Sequence, residues 1–209
     1  MKRRDLLAAV GGAAALTAIS PTAGFSAAAT GNVVGLQGQC LVERGGRQNP
    51  LKLGDPVNVT DTVDVPLDGK LKLRMSDGSV ISLAAGSKLT LASYQTDAAG
   101  KRQSAELTLA QGLLRAVVAP VDHPSTFEVS TAVGTAGVRS TDWFIEAKPG
   151  SAQVGVLSGS VVLTSTATRH SVTIPARWGA RLEAGRDPVD ARVWAPQEFQ
   201  AVIARTDVP

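Results

Sequence analysis

The chain has 209 residues, with 21 Lys and Arg against 18 Asp and Glu, 2 His and 1 Cys. One cysteine excludes an internal disulfide. Residues 1–29 hold three of the 21 basic and one of the 18 acidic residues, so the remainder is near neutral at +1. It carries no Lys/Arg cluster interleaved with aromatics, which argues against a nucleic-acid surface.

The first segment, Lys2-Arg3-Arg4-Asp5-Leu6-Leu7, leads into an uncharged Ala/Gly-rich run ending at Ala27-Ala28-Ala29. A basic start, an apolar middle and small residues at a cleavage site are the three parts of a secretory signal. Arg3 and Arg4 followed by two leucines predict a twin-arginine export signal. The run from Leu6 to Ala29 is nominally long enough to span a bilayer, but Ala, Gly, Thr and Ser dominate it and Pro21 interrupts it. Cleavage is expected after Ala29, or after Ala28 using Ser26. The expected location is the periplasm, with membrane contact only through this segment before cleavage. An uncleaved signal tethering the chain to the inner membrane is the alternative.

Residues 30–187 read as one all-β domain. Leu71, Leu73 and Met75 alternate with Lys70, Lys72 and Arg74, and similar alternation recurs through Leu89, Leu91, Leu107, Leu109, Phe127, Val129, Val161 and Leu163. A period of two places one row of side chains in a core and the other in water. Asp68-Gly69 and Asp77-Gly78 predict hairpin-type turns. Leu107–Val118, Val154–Leu163 and Val172–Leu182 share a coarse strand, glycine turn, strand pattern. Such loose repetition predicts a solenoid-like stack or a two-sheet β-sandwich of short strands. The polar stretch Gln95–Gln103 predicts an exposed hairpin tip. Residues 188–209 form a tail in which Pro196–Arg205 predicts a short helix, with Phe199, Val202 and Ile203 on one face. That helix is expected to cap an open end of the sheets.

Nothing in the sequence selects a catalytic or metal-binding constellation, and no cofactor is expected. His123 and His170 lack metal-ligand spacing, and His123 beside Pro124 reads as a solvated loop residue. Gly155-Val156-Leu157-Ser158-Gly159 departs from the nucleophile-elbow spacing and sits between strands. Cys40 reads as a small buried apolar residue. Trp143, Trp178 and Trp194 are expected to pack in the core or at sheet edges, with glycan contact as the alternative.

Thr131-Ala132-Val133-Gly134-Thr135-Ala136-Gly137-Val138-Arg139-Ser140-Thr141-Asp142-Trp143-Phe144-Ile145 resembles the signature of FecR-type domains. Other landmarks agree in order: Val33–Gly38, Leu53-Gly54-Asp55-Pro56-Val57, Asp77-Gly78-Ser79-Val80-Ile81-Ser82-Leu83, and Gly159-Ser160-Val161. The signature core here is Val138, Arg139, Ser140, Thr141, Asp142 and Trp143. Ser140 stands where the family commonly has Gly, so a positive φ at that point predicts strain. Ala132 stands where the family commonly has Pro. Arg139 and Asp142 are expected to form a turn-stabilising ion pair, with a partner-reading patch as the alternative.

The resemblance implies an all-β periplasmic domain. Proteins of this family relay the state of an outer-membrane receptor to a cytoplasmic sigma factor, which requires a cytoplasmic arm. With an export signal expected at the N-terminus, no such arm is expected. The chain is therefore expected to be a stand-alone, non-catalytic module for protein interaction or envelope sensing. Its expected partner is an unidentified envelope protein, by strand addition at an open sheet edge. A cell-wall glycan, a sigma-factor signalling system or, as a third class, an uncharted hydrolase are the rivals.

Overall fold

The structure is a computed structural model that describes residues 29–189 and 191–208. Arg3 and Arg4 lie outside the described residues. In chain order the strands are β1 (Gly31–Gln37), β2 (Leu41–Arg44), β3 (Arg47–Pro50), β4 (Pro56–Val57), β5 (Thr62–Asp64) and β6 (Lys70–Met75). They continue with β7 (Val80–Leu83), β8 (Lys88–Thr96), β9 (Arg102–Val117), β10 (Thr126–Ser130), β11 (Gly134–Val138) and β12 (Asp142–Lys148). Last come β13 (Ser151–Ser158), β14 (Ser160–Ser165), β15 (Ser171–Pro175), β16 (Trp178–Glu183), β17 (Arg192–Val193) and the helix α1 (Pro196–Thr206).

Hydrogen-bond ladders sort these strands into two sheets. The first runs β4-β1-β6-β7-β9-β12-β13-β16-β17. The second runs β3-β2-β5-β8-β9-β10-β11-β14-β15. Strand β9 belongs to both, so the ladder graph is continuous through all 17 strands. Its first part, to Gln111, pairs with β8, and Gly112 onward pairs with β12. The switch falls at Gly112, whose φ is +94°. A Cβ there would lie 2.4 Å from Ser87, whose hydroxyl donates to Leu113 O at 3.1 Å and accepts from Leu113 N at 3.0 Å. Only a residue without a side chain fits this crossing.

The fold is all-β with one short C-terminal helix, as the alternation predicts. Its chain advances from one end to the other by dropping successive hairpins onto alternate sheets. The three loosely similar segments are sheet crossings rather than copies of a unit: β9 at Gly112, β13 to β14 at Gly159, and β15 to β16 at Arg177. Leu71, Leu73, Ile81, Leu83, Leu89, Leu91, Leu107, Leu109, Val154, Val161 and Leu163 are fully buried between the layers.

Three local expectations change. Asp68-Gly69 joins β5 in the second sheet to β6 in the first, so it is a crossing turn, whereas Asp77-Gly78 does close the β6–β7 hairpin. The exposed tip narrows to 97–101, because Arg102 is only 1% exposed. The helix does not cap an open end. It lies across the outer face of the first sheet and packs its own Phe199 and Val202, together with Trp194, against Ala84, Leu113 and Phe144. Its last turn is held by Lys70 Nζ on Ala204 O (3.0 Å) and Asp207 O (2.9 Å) and by Lys72 Nζ on Val208 O (2.7 Å). Arg205 reaches Glu146 on β12 at 2.8 Å. Among the described residues no helix is long and apolar enough to cross a membrane.

Candidate functional site

The signature segment is the crossing from β11 in the second sheet to β12 in the first. Val138 ends β11 opposite Val161 and is buried. Arg139 and Ser140 are exposed at the crossing, and Ser140 has φ +52°. The strain expected of a non-glycine residue here is thus present. Thr141 is 3% exposed, and its hydroxyl is within donating distance of Arg139 O (3.1 Å) and Ser160 O (3.2 Å). Val118 N donates to Thr141 O at 2.9 Å. Gly159 packs so closely that a Cβ would sit 2.9 Å from both Ser140 O and Thr141 Oγ1. Trp143 is wholly buried between the layers, opposite Val156 and Ala116. Upstream, Thr131 Oγ1 donates to Gly134 O at 2.9 Å and closes the β10–β11 turn.

The expected Arg139–Asp142 pair does not form. Asp142 instead accepts two parallel bonds from Arg115 on β9, from Nε at 3.0 Å and Nη2 at 2.8 Å. That bidentate contact raises the Arg115 pKa, against burial, which lowers it. Arg139 directly follows a strand of the second sheet and Asp142 begins one of the first, so the crossing sends the two side chains to different layers. Arg115 faces outward because β9 alternates, a signal legible only once its partner strand is known.

The structure brings Val138, Thr141 and Trp143 together as supports of a crossing and leaves Arg139 at the surface. Arg139 lines a shallow groove of about 260 Å³ on the outer face of the second sheet, with Glu128, Gly137, Ser160 and Val162. Alongside it runs a row of hydroxyls, one per strand across seven neighbouring strands: Thr62, Thr90, Thr108, Ser130, Thr135, Thr164 and Ser171. Within the row Thr62 and Thr90 are 2.8 Å apart, Ser130 and Thr135 3.1 Å, and Thr164 and Ser171 2.8 Å. Cross-strand pairs of this kind stiffen a sheet while leaving its face flat and polar.

A buried charge cluster lies beyond what the sequence revealed. Arg102 at the start of β9 donates to Asp77, in the β6–β7 turn, and the two side chains are 1% and 0% exposed. Tyr94 Oη donates to Asp77 Oδ1 at 2.7 Å and Ser79 Oγ to Oδ2 at 2.8 Å. Arg102 Nη2 bonds Ala119 O at 3.2 Å, and its guanidinium stacks 5.5 Å from the Phe127 ring centre. Burial, then the Asp77 charge, pushes the Tyr94 pKa up. Enclosed, with Arg102 Nε the one atom of the group left without a partner, this cluster ties the sheets together rather than presenting chemistry to solvent.

The remaining sequence candidates are placed as follows. Cys40 is wholly buried, and burial raises its thiol pKa to about 11. His123 is more engaged than a solvated loop residue, with Nε2 2.9 Å from Arg102 O and Nδ1 3.2 Å from Asp122. Trp194 is 6% exposed and Trp178 is half-buried against the core, so neither they nor Trp143 offers an open aromatic platform. Among the described residues no three His, Cys, Asp or Glu side chains converge as metal ligands.

Residues 61–162, just under half of the chain, match the model of the family described as FecR protein. No curated protein matches the chain. A crystal structure at 1.65 Å of a candidate anti-sigma factor from Parabacteroides distasonis ATCC 8503 superposes with TM-score 0.56 at 15% identity. The overlap covers 67% of this chain and 63% of that one. A second structure of a candidate anti-sigma factor from the same organism, at 2.50 Å, gives TM-score 0.56 and 15% identity over 67% and 62%. This chain therefore spans less than two thirds of that protein's length, and identity at this level speaks for the fold alone. Residues 61–162 are thus similar to FecR protein in sequence, and the fold is shared with the two solved structures.

Proposed function

We propose that the chain is a FecR-like signalling module of the bacterial envelope, exported through Arg3 and Arg4, which acts by binding a protein partner rather than by catalysis. The observation that carries this reading is the FecR family match over residues 61–162. The fold shared with a candidate anti-sigma factor supports it, at the level of architecture. The site geometry agrees with a binding role, since the signature residues are spent on a sheet crossing and the adjoining groove is shallow. Regulation of a sigma factor is the finer form of the proposal. The glycan alternative has less to stand on, because Trp143 and Trp194 are buried.

Two linked measurements test it. Replacing Arg3→Lys together with Arg4→Lys in a tagged chain is expected to leave the protein in the cytoplasmic fraction; unimpaired export of the variant contradicts the twin-arginine route. Photocrosslinkers at exposed positions in cells are expected to capture one reproducible envelope protein, and deleting the gene to change transcription from a sigma-factor-dependent promoter. Export without any reproducible crosslinked partner contradicts the binding role.

A further inference from the structure

Four strands end the two sheets, and three of them are poor templates for pairing. β4 and β17 are two residues long. β3 is exposed throughout, begins with Arg47 and ends in Pro50. Charges, prolines and short length are the ordinary defences of a sheet edge. β15 differs: its five residues, Ser171-Val172-Thr173-Ile174-Pro175, contain no charge, and its one proline is the last residue. Among the described residues β15 pairs only with β14, so its other side is a free edge. Val172 is half-buried and Ile174 buried, with Ser171 and Thr173 exposed, the alternation of a strand with room for a neighbour.

The two ends of β15 are marked by cations. Arg169 and Arg177 are exposed, and neither makes an ion pair among the described residues. Both hold a left-handed backbone, with φ +65° and +69°, a conformation glycine adopts without strain. Other charge at these ends is already engaged: His170 pairs with Asp187 at 2.8 Å and Arg186 with Glu183 at 3.6 Å. The hydroxyl row of the second sheet also stops at this edge, on Ser171.

We propose that β15 is the docking edge for an extended peptide segment with an uncharged, β-branched and hydroxyl-bearing middle and an acidic residue at each end, about eight residues apart. The segment pairs its backbone with β15, extends the core beside Val172 and Ile174, continues the hydroxyl row past Ser171, and sets its carboxylates against Arg169 and Arg177. This rests on the reading of the chain as a partner-binding module.

The probe is a nonapeptide with Glu at both ends and alternating Thr and Val between, added to the full chain and read by amide hydrogen exchange. Exchange of the amides of 171–174 is expected to slow at least tenfold, and the Glu-ended peptide to bind at least tenfold tighter than a Lys-ended one. Arg169→Gly with Arg177→Gly relieves both left-handed positions, so it folds, and is expected to erase that preference. Equal binding of the two peptides, protection on β3 instead, or no protection at millimolar peptide overturns the proposal. So does concentration-dependent protection of β15 without peptide, which makes a second copy the occupant. Peptide failure alongside a crosslinked partner in cells sinks this edge and leaves the signalling reading standing; peptide binding with no partner in cells does the reverse.

Discussion

Ser140 shows how one position can carry a fold constraint. Its φ of +52° costs a residue with a Cβ roughly 1–2 kcal/mol, and glycine gives back about 0.5–1 kcal/mol through the unfolded chain. Ser140→Gly is therefore expected to raise stability by about 0.5–1 kcal/mol, seen as a higher urea midpoint at unchanged slope. A lower midpoint means that the Ser140 side chain makes a contact worth more than the strain. This constraint was legible in the sequence, because a comparison of residue types at one turn needs no partner strand. The Arg139–Asp142 pairing was not, since proximity along the chain said nothing about the layer each side chain enters. Cys40 makes a second residue-scale case. Its thiol is raised from 9.0 to about 11, first by burial and then by Asp68 and Asp64. A pKa raised on folding gives stability that is complete below pH 9 and lost as pH rises through 11. Cys40→Ala is expected to flatten that alkaline limb by up to about 1.4 kcal/mol per pH unit, the weight of one proton. Burial of the Tyr94 hydroxyl acts in the same direction at higher pH and should survive the substitution. An identical limb in Cys40→Ala assigns the loss to other groups.

At the scale of elements, α1 is the instructive case. Its existence was legible from Pro196, the Phe199, Val202 and Ile203 stripe, and Arg205 in the last turn. Glu198 reaches back to Ala195 N at 2.8 Å, which completes the half of a capping box that an alanine cap permits. Where the helix lands was not legible. The seat is made by two glycines that face each other across the β13–β16 pair: a Cβ at Gly179 would lie 2.2 Å from the Trp194 indole, and one at Gly155 2.4 Å from the Phe144 ring. These vacancies let Phe144, Trp194 and Phe199 stack, with ring centres 5.4 to 6.3 Å apart. Gly179→Ala has no space to fill and is expected to unseat Trp194, costing about 1–3 kcal/mol. Hydrogen exchange should then show α1 amides opening well before those of β9. Equal protection of α1 in the variant refutes the idea that Gly179 makes the seat.

For the molecule as a whole, the sandwich depends on where the chain changes layer, and that is where sequence reading reached least. Alternation identified the rows that enter the core, such as Leu71, Leu73 and Met75, because burial on one face needs only a period of two. It did not identify which rows face each other, because those pairings are fixed by crossings at Gly112, Ser140, Gly159 and Arg177 and by one buried ion pair. Asp77 belongs to a hairpin of the first sheet, Arg102 and Tyr94 to strands of the second, and Ala119 to the segment after β9 leaves it. The cluster therefore pins the two layers together beside the long strand that belongs to both. Arg102 read as a loop residue because a polar run gives no hint that one member turns inward. Removing one side of such a pair strands a buried charge, so Arg102→Met is expected to cost about 3–5 kcal/mol. Adding Asp77→Asn removes the stranded charge and leaves an amide whose oxygen still accepts from Tyr94 and whose NH2 can donate to Ser79 Oγ, so the double variant should recover part of the loss. In urea melts followed separately by tryptophan fluorescence and far-UV circular dichroism, the two probes should stay coincident for the wild type and separate for Arg102→Met. Strictly additive effects of the two substitutions, with coincident probes throughout, make the pair a local feature and leave the coupling of the layers to β9 alone.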